Sequence, residues 1–227
     1  MSEDVSAAPI EKGSRYILKA ERLSDLPSLI EKGGARAAYI ELPPHPHVEE
    51  LLKASAEIAP TQYHYSGRHT HTEVRTRFAR LGLEAPVLDY VMAEYELLED
   101  TFRDYDIVTV FLAGARSVNQ GDDLVLHPDV VEPEMAVGVR RVIATMAGPA
   151  TFYADDLAGT NLIQPNGRAV TVHRMSGGAL GPYGAGIDEK LRLGAYHKRP
   201  TDNAPRFTMV LDLIKKAPAS NTQEFKP

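Results

Sequence analysis

A His-x-Asp motif is the strongest chemical signal in the sequence. His127 and Asp129 follow an apolar pair, in the half of the chain that has β-strand patterning. Because side chains alternate along an extended segment, residues at this spacing point to the same side. His197 lies further along, and Arg206 follows it by nine residues at the start of an apolar segment. Two imidazoles and one carboxylate are the ligand set of facial-triad sites for non-haem Fe(II).

These four residues would divide the chemistry between a metal ion and an organic acid. Three protein ligands leave three positions on an octahedral ion, two for a chelating 2-oxo acid and one for O₂. A guanidinium on a neighbouring strand can pair with the distal carboxylate of that acid through two hydrogen bonds. The pattern predicts His127, Asp129 and His197 as metal ligands and Arg206 as the cosubstrate-binding residue.

With this ordered set of residues, the chain resembles the Fe(II)/2-oxoglutarate-dependent dioxygenase superfamily, and it is also similar to a less characterised bacterial family. The likeness covers roughly residues 105–214, and the segments that resemble the bacterial family are 141–155 and 196–212. The resemblance implies a double-stranded β-helix (jelly-roll) core braced by helices. It also implies an oxygenase, most simply a hydroxylase of a small molecule, that uses Fe(II) and converts 2-oxoglutarate and O₂ to succinate and CO₂.

Other histidines offer alternatives to these ligands. His173 is the other candidate for the distal histidine, but no cation follows it at the spacing of Arg206, so His197 is preferred. His69 and His71, with a glutamate nearby, form a rival His-x-His metal motif. A polar loop entering a helix, capped by one of the adjacent threonines, explains that segment more simply. His45 and His47, between prolines, are predicted to lie in an exposed loop.

Five residues are weaker candidates for substrate binding: Tyr63, Tyr65, His173, Arg174 and Tyr183. The tyrosines could form an aromatic wall of the substrate site, although a tyrosine ring also packs in a core with its hydroxyl in water. Basic residues cluster between the last predicted strands and could favour an anionic substrate; they are Arg174, Lys190, Arg192, Lys198 and Arg199. The glycine-rich stretch 177–186 lacks the Gly-Lys-Ser/Thr of a phosphate loop, so a strand connection at the edge of the site is expected.

Two other classes of function use the same residues differently. A non-oxygenase cupin-like metal-binding β-barrel, such as an isomerase, a hydrolase or a metal sensor, would use the histidines but not Arg206. An interaction module on a β-sandwich would use none of them chemically. Binding of 2-oxoglutarate in the presence of metal distinguishes the oxygenase from the cupin-like metal protein. Any metal binding distinguishes it from the interaction module.

The patterning predicts a mainly β fold with N-terminal helices, of the α+β class. Apolar residues recur at helical spacing in 48–58, 73–81 and 86–103. After residue 105 the chain changes to short β-rich segments separated by turns, which is typical of a sandwich or barrel. These predicted strands are 106–113, 139–146, 151–153, 168–173 and 207–214, and one more, 36–42, precedes the helices. Residues 61–72 are predicted to be a loop.

Composition narrows the class of protein. The chain has 227 residues, no cysteine and a formal charge of −6, which excludes a disulfide scaffold and a thiolate metal site and makes nucleic-acid binding unexpected. No apolar run is long enough for a membrane span and no signal peptide is evident, so a cytoplasmic protein is expected. The prediction is one domain over 15–214, with its helical part at about 45–104 and its β core at about 105–214, between flexible ends at 1–14 and 215–227.

Overall fold

A seven-stranded sheet and a four-stranded sheet dominate the computed structural model of the protein. The structure describes residues 16–32, 35–58, 61–64, 70–114, 126–131, 138–155, 161–177, 194–200 and 205–216. The helices in these ranges are α1 (Leu26–Glu31), α2 (Val48–Ser55), α3 (His71–Ala79) and α4 (Ala85–Thr101), with one 3₁₀ turn at Leu23–Asp25. The strands of the N-terminal part are β1 (Ile17–Lys19), β2 (Ala37–Glu41) and β3 (Thr61–His64). The later strands are β4 (Tyr105–Ala113), β5 (His127–Pro128), β6 (Val130–Val131), β7 (Val139–Ala147), β8 (Phe152–Ala154), β9 (Leu162–Ile163), β10 (Ala169–Arg174), β11 (Ser176–Gly177), β12 (Tyr196–Lys198) and β13 (Phe207–Lys215).

The large sheet has the strand order β1-β2-β10-β7-β13-β4-β3. Only its edge pair, β1 with β2, is parallel among the described pairs, and the others are antiparallel. Its strands come from both sides of residue 105, so the helical part of the chain and the β-rich part share one sheet. The described fold is therefore mainly β with a few helices, as the sequence predicts at that level.

One face of the large sheet forms the hydrophobic core beneath the helices. Val172, Val142, Leu211 and Val110 lie opposite one another on four adjacent strands, and each is essentially unexposed. Apolar residues of all four helices pack onto this row. In α4 they recur three and four residues apart, which places them on one side of the helix. The helices thus cover one face and leave the opposite face of the sheet for other contacts.

The small sheet has the order β5-β12-β8-β9, and β6 pairs separately with β11. Its strands are two or three residues long. Tyr153 of β8 and His197 of β12 contact His173 of the large sheet, on the face away from the helices. This contact between the two sheets creates the site described below.

Most of the predicted elements are confirmed within a few residues. All three long helical segments and the six predicted strands are present. Thr70 caps α3 and forms a reciprocal capping box with Glu73, as expected for one of the two threonines. The loop predicted for 61–72 is wrong at its start, because 61–64 pair with β4 as the edge strand β3. Pairing with a long, apolar neighbour supplies hydrogen bonds that the polar composition of this segment does not reveal.

Short N-terminal elements were not apparent in the sequence. β1 and α1 were not predicted, since three and six residues give too little periodicity to recognise. The predicted flexible N-terminus, 1–14, lies outside the described residues, as do residues 217–227 of the predicted tail. The last described strand continues to Lys215. Among the described residues, no helix is both long enough and apolar enough to cross a membrane.

Candidate metal centre

His127 and His197 face each other across two neighbouring strands of the small sheet. They are direct partners in the antiparallel pairing of β5 with β12. Residues directly opposite in such a pair project to the same side of the sheet. Their ring centroids are 4.7 Å apart. Sequence spacing could not bring these two residues together, but the strand register does.

Asp129 completes the group just beyond the end of β5. Its Oδ2 lies 3.5 Å from Nε2 of His197. One ligand atom from each of His127, Asp129 and His197 lies within 4.8 Å of the other two. Among the described residues this is the one such group of histidine and acidic side chains. The donor set, two imidazole nitrogens and one carboxylate oxygen, suits Fe(II) and other divalent first-row metals.

The large sheet presents a row of polar side chains to this group. His173 of β10 lies opposite Arg141 of β7, and Arg141 lies opposite Asp212 of β13. All three are on the face away from the helices, because the row beside them forms the apolar core. Arg141 and Asp212 were not predicted to be site residues. The sequence signal for them is a charged residue within an otherwise apolar strand, which is rarely buried without a partner.

Both oxygens of the Asp129 carboxylate are held by this row. Nη1 of Arg141 donates to Oδ1 at 2.6 Å, and Nε2 of His173 lies 2.8 Å from Oδ2. Because an ionised carboxylate only accepts hydrogen bonds, Nε2 of His173 carries the proton. Arg141 also donates two hydrogen bonds to Asp212, from Nε to Oδ1 at 2.7 Å and from Nη2 to Oδ2 at 3.0 Å. Asp129 therefore joins the small sheet to the large one.

The protonation states suit metal binding. Burial favours the uncharged imidazole and lowers the pKa of His197 to about 3, so its nitrogen is available as a ligand at neutral pH. Burial alone would raise the pKa of the Asp129 carboxyl, but neighbouring histidines and Arg141 outweigh it and hold that pKa well below its usual range. The site thus offers neutral imidazole and a carboxylate anion, the forms that coordinate a cation.

His173 lies behind the carboxylate rather than beside the other two histidines. It is 0% exposed, and its Nδ1 is 3.3 Å from the hydroxyl of Tyr153. Its ring centroid is 4.8 Å from that of His197. Both of its nitrogens are thus engaged, one by Tyr153 and the other by Asp129. This placement makes it a partner of the carboxylate, and the group with metal-ligand spacing contains His197.

Arg206 contacts the residue that precedes β8 of the small sheet. Its side chain is buried, and Nη1 is 3.5 Å from Oγ1 of Thr151. Thr151 is two residues before Tyr153, which pairs directly with His197. Arg206 therefore lies near the strand that pairs with the His197 strand.

Gly148 allows the Arg206 segment to approach β7 closely. A Cβ at this position would lie 2.3 Å from the Pro205 carbonyl oxygen and 2.8 Å from Cα of Arg206, and its φ is +81°. We expect Gly148→Ala to lower the free energy of unfolding by more than about 1 kcal/mol, since both the conformation and the space exclude a side chain. Urea unfolding measures this. Gly82→Ala is the control, because Gly82 also has a positive φ but has open space around it; an equal loss in both would refute the close-approach argument.

Arg174, a predicted substrate residue, points elsewhere. Its Nε donates to the carbonyl oxygen of Ala35 at 2.8 Å, and its Nη2 donates to that of Ile30 at 2.7 Å. Side chains alternate in β10, so Arg174 faces away from the side that His173 occupies. It supports the end of α1 and the segment that follows instead of lining the metal group.

The structure does not describe the side chains of the three predicted substrate tyrosines. Tyr63 belongs to β3, but its side chain is not described, and Tyr65 and Tyr183 lie outside the described residues. So do Lys190 and Arg192 of the basic cluster. Lys198 is described, and its Nζ lies 5.7 Å from the ring centroid of Phe152.

The rival histidine motifs serve other contacts where they are described. His69 lies outside the described residues. His71 begins α3, and its Nε2 lies 2.6 Å from Oε1 of Glu96 on α4. His47 stacks on Tyr90 with a centroid distance of 3.7 Å, and His45 packs beside both rings. These described histidines pack between elements of the helical layer.

Comparison with known proteins gives distant likenesses only. No family model matches the chain, and no curated protein matches it. Two similar solved structures are of a non-heme monooxygenase, ThoJ, one as a nickel complex and one as the apo form. Each is 13% identical and covers 86% of this chain and 77% of the other, with TM-scores of 0.38 and 0.37. At TM-scores below 0.5, these likenesses identify neither the fold nor the activity of this chain.

Proposed function

We propose that the protein is an Fe(II)- and 2-oxoglutarate-dependent oxygenase that oxidises a small molecule. The observation that carries the proposal is the convergence of His127, Asp129 and His197 into one group with metal-ligand spacing, and the buried Arg206 side chain contacts Thr151 beside the neighbouring strand β8. The four residues come from three segments of the chain, the His-x-Asp motif at 127–129, His197 and Arg206, and the fold brings these segments together.

The three candidate ligands would hold the metal and leave part of its coordination sphere open. His127 and His197 supply imidazole nitrogens, and Asp129 supplies an anionic oxygen that balances part of the metal charge. Fe(II) bound in such a site supplies activation of O₂. The chain's own residues orient the ligands. Arg141 and His173 keep the carboxylate in place, and the buried surroundings of His197 limit access of water.

Arg206 would bind the distal carboxylate of 2-oxoglutarate. Arg206 is buried, and the planar fork of an arginine matches a carboxylate through two hydrogen bonds. Thr151 offers a hydroxyl beside the same position. The strand repeat of about 7 Å between Thr151 and Tyr153 is comparable to the span of a five-carbon diacid. One end of that acid could therefore reach the ligand group while the other end meets Arg206.

The two sheets would enclose this chemistry. We propose that they are the two faces of a jelly-roll barrel, with the large sheet backed by helices and the small sheet carrying the ligands. The substrate would be a small molecule. The basic residues Lys190, Arg192, Lys198 and Arg199, close together in the sequence, would suit an anionic one.

Anaerobic titration tests the proposal directly. Metal-free protein is titrated with Fe(II) and then 2-oxoglutarate, and the weak visible charge-transfer band of the chelate is recorded. We expect the band in the wild type, its loss in His127→Ala, and weakening of 2-oxoglutarate affinity by at least about tenfold in Arg206→Met, the loss of one charge-assisted pair. The controls are His71→Ala and Arg168→Gln, a histidine and an arginine in contact with α4. If Arg206→Met gave the band with an unchanged affinity for 2-oxoglutarate, the assignment of Arg206 as the cosubstrate-binding residue would be wrong.

A cupin-like metal protein without 2-oxoglutarate chemistry is the second candidate. The observation that favours it is the third histidine, His173, whose Nε2 is 2.8 Å from the carboxylate. Three histidines and one carboxylate would leave fewer open positions on the ion if His173 turned toward it. In the same titration, this candidate gives metal binding but no charge-transfer band on addition of 2-oxoglutarate.

A further inference from the structure

Arg141 has the geometry of a positioning residue for the metal-binding carboxylate. We infer that its guanidinium reserves Oδ1 of Asp129 and thereby presents Oδ2 alone to the metal. The inference rests on the proposed function insofar as it takes His127, Asp129 and His197 as metal ligands. It adds a role for a residue whose side chain is itself not among the candidate ligands.

The guanidinium is fixed before it reaches Asp129. Asp212 lies opposite Arg141 in the register of β13 with β7, and both of its oxygens accept hydrogen bonds from that fork. The aromatic ring of Phe111 lies 6.0 Å from the guanidinium carbon. The side chain of Arg141 is 17% exposed and that of Asp212 is 10% exposed. Nε and Nη2 of Arg141 donate to Asp212, which fixes the plane of the guanidinium. The third nitrogen, Nη1, then donates to Oδ1 of Asp129.

The backbone around Asp129 does little to fix the position of its side chain. It lies between the two-residue strands β5 and β6, outside both. Its carbonyl oxygen accepts one hydrogen bond from the backbone N–H of Ser176, at 2.8 Å. A side chain on such a short connection would otherwise rotate between several positions, and each ordered rotamer costs entropy. The large sheet is the rigid element that fixes it.

The division of the two oxygens has a chemical consequence. A carboxylate can bind one ion through one oxygen or through both. Arg141 donates to Oδ1 and His173 to Oδ2, so each oxygen keeps one acceptor position. The positive guanidinium beside Oδ1 disfavours a cation there, whereas Oδ2 is the oxygen near His197 and can take the metal ion. Holding the carboxylate to one bond keeps free the coordination position that a second bond would take, and an oxygenase needs that position for its cosubstrate.

Binding of Co(II) to the metal-free full-length protein tests this inference without any turnover. In Arg141→Lys the charge remains but the fork is lost. We expect the Kd for Co(II) to rise about 10- to 100-fold, the usual effect of losing an outer partner of a ligand. We also expect the visible absorption of bound Co(II) to change in intensity, because a carboxylate free to bind through both oxygens alters the coordination number.

Arg140→Lys is the matched control. Arg140 is the adjacent residue of the same strand, is also buried and also pairs with a carboxylate, that of Glu31 at 3.2 Å, but it faces the helices. We expect this variant to keep the wild-type Kd and spectrum. Equal weakening in both variants would overturn the inference in favour of a general loss of stability. An unchanged Kd and spectrum in folded Arg141→Lys would overturn it as well.

Asp212→Asn provides a second route if Arg141→Lys does not fold. It loosens the guanidinium without removing it, so we expect a smaller rise in Kd with the same spectral change. A wild-type protein that binds no Co(II) would refute the metal site and the proposed function together. Wild-type protein that binds Co(II) but not 2-oxoglutarate would refute the oxygenase proposal and leave the role of Arg141 to be decided by the same variants.

Discussion

The Asp129→Ala variant is expected to lose more than about 100-fold of its affinity for divalent metal, beyond the loss typical of an outer partner. The substitution removes the anion of the candidate ligand group. It also leaves the Arg141 guanidinium, which is 2.6 Å from Oδ1 in the wild type, facing the two histidines. With Asp212 as the carboxylate partner that remains, this positive charge next to the site repels a divalent cation.

Isothermal titration of the metal-free protein with Co(II) or Fe(II) measures this effect. The control is Asp89→Ala, which removes an exposed aspartate that is also paired with an arginine, Arg75. That variant should bind metal like the wild type. If Asp129→Ala bound metal less than tenfold more weakly, the three-residue group would not be the principal metal site of the protein.

The Arg141→Met variant is expected to lower the free energy of unfolding by about 3–5 kcal/mol, the cost of breaking a buried ion pair from one side. Methionine keeps much of the apolar stem but none of the donors. Two carboxylates, with side chains 13% and 10% exposed in Asp129 and Asp212, then lose their shared cation. The penalty is large because both charges stay in a poorly solvated interface between the sheets.

Urea unfolding of the metal-free protein at neutral pH measures this loss. Arg75→Met is the control, since the Arg75–Asp89 pair is exposed and should contribute less than about 1 kcal/mol. The double variant Arg141→Met/Asp212→Asn should recover part of the lost free energy of unfolding, because one of the two buried carboxylates that shared the arginine is then neutral. A loss under about 1 kcal/mol in Arg141→Met would show that the carboxylates do not depend on this arginine.

These two variants address opposite ends of one contact. Asp129 belongs to the segment next to the small sheet, whereas Arg141 belongs to the centre of the large sheet. The same hydrogen bond therefore contributes to metal binding and to the packing of one sheet on the other. Metal binding should accordingly stabilise the folded protein, as any ligand of the native state does.

The helices, the main strands and the residues most suited to chemistry could be predicted from the local sequence. Periodicity of 3.6 in α2, α3 and α4, and β-rich runs in β4, β7, β10 and β13, follow from the local order of apolar and polar residues. The His-x-Asp motif and a later His and Arg could be recognised because their residue types are those that Fe(II) and a 2-oxo acid require. These properties are local and are visible without knowledge of which strands are neighbours.

How those residues meet, and which others support them, depends on the packing of the whole fold. His127 and His197 become partners through the register of β5 with β12, and His173, Arg141 and Asp212 form one row because β10, β7 and β13 are adjacent. The approach of that row to Asp129 depends on how one sheet packs on the other. Spacing along the chain carries no information about strand neighbours, register or sheet packing. Those are settled by the burial of apolar area and the pairing of buried polar groups over the whole fold.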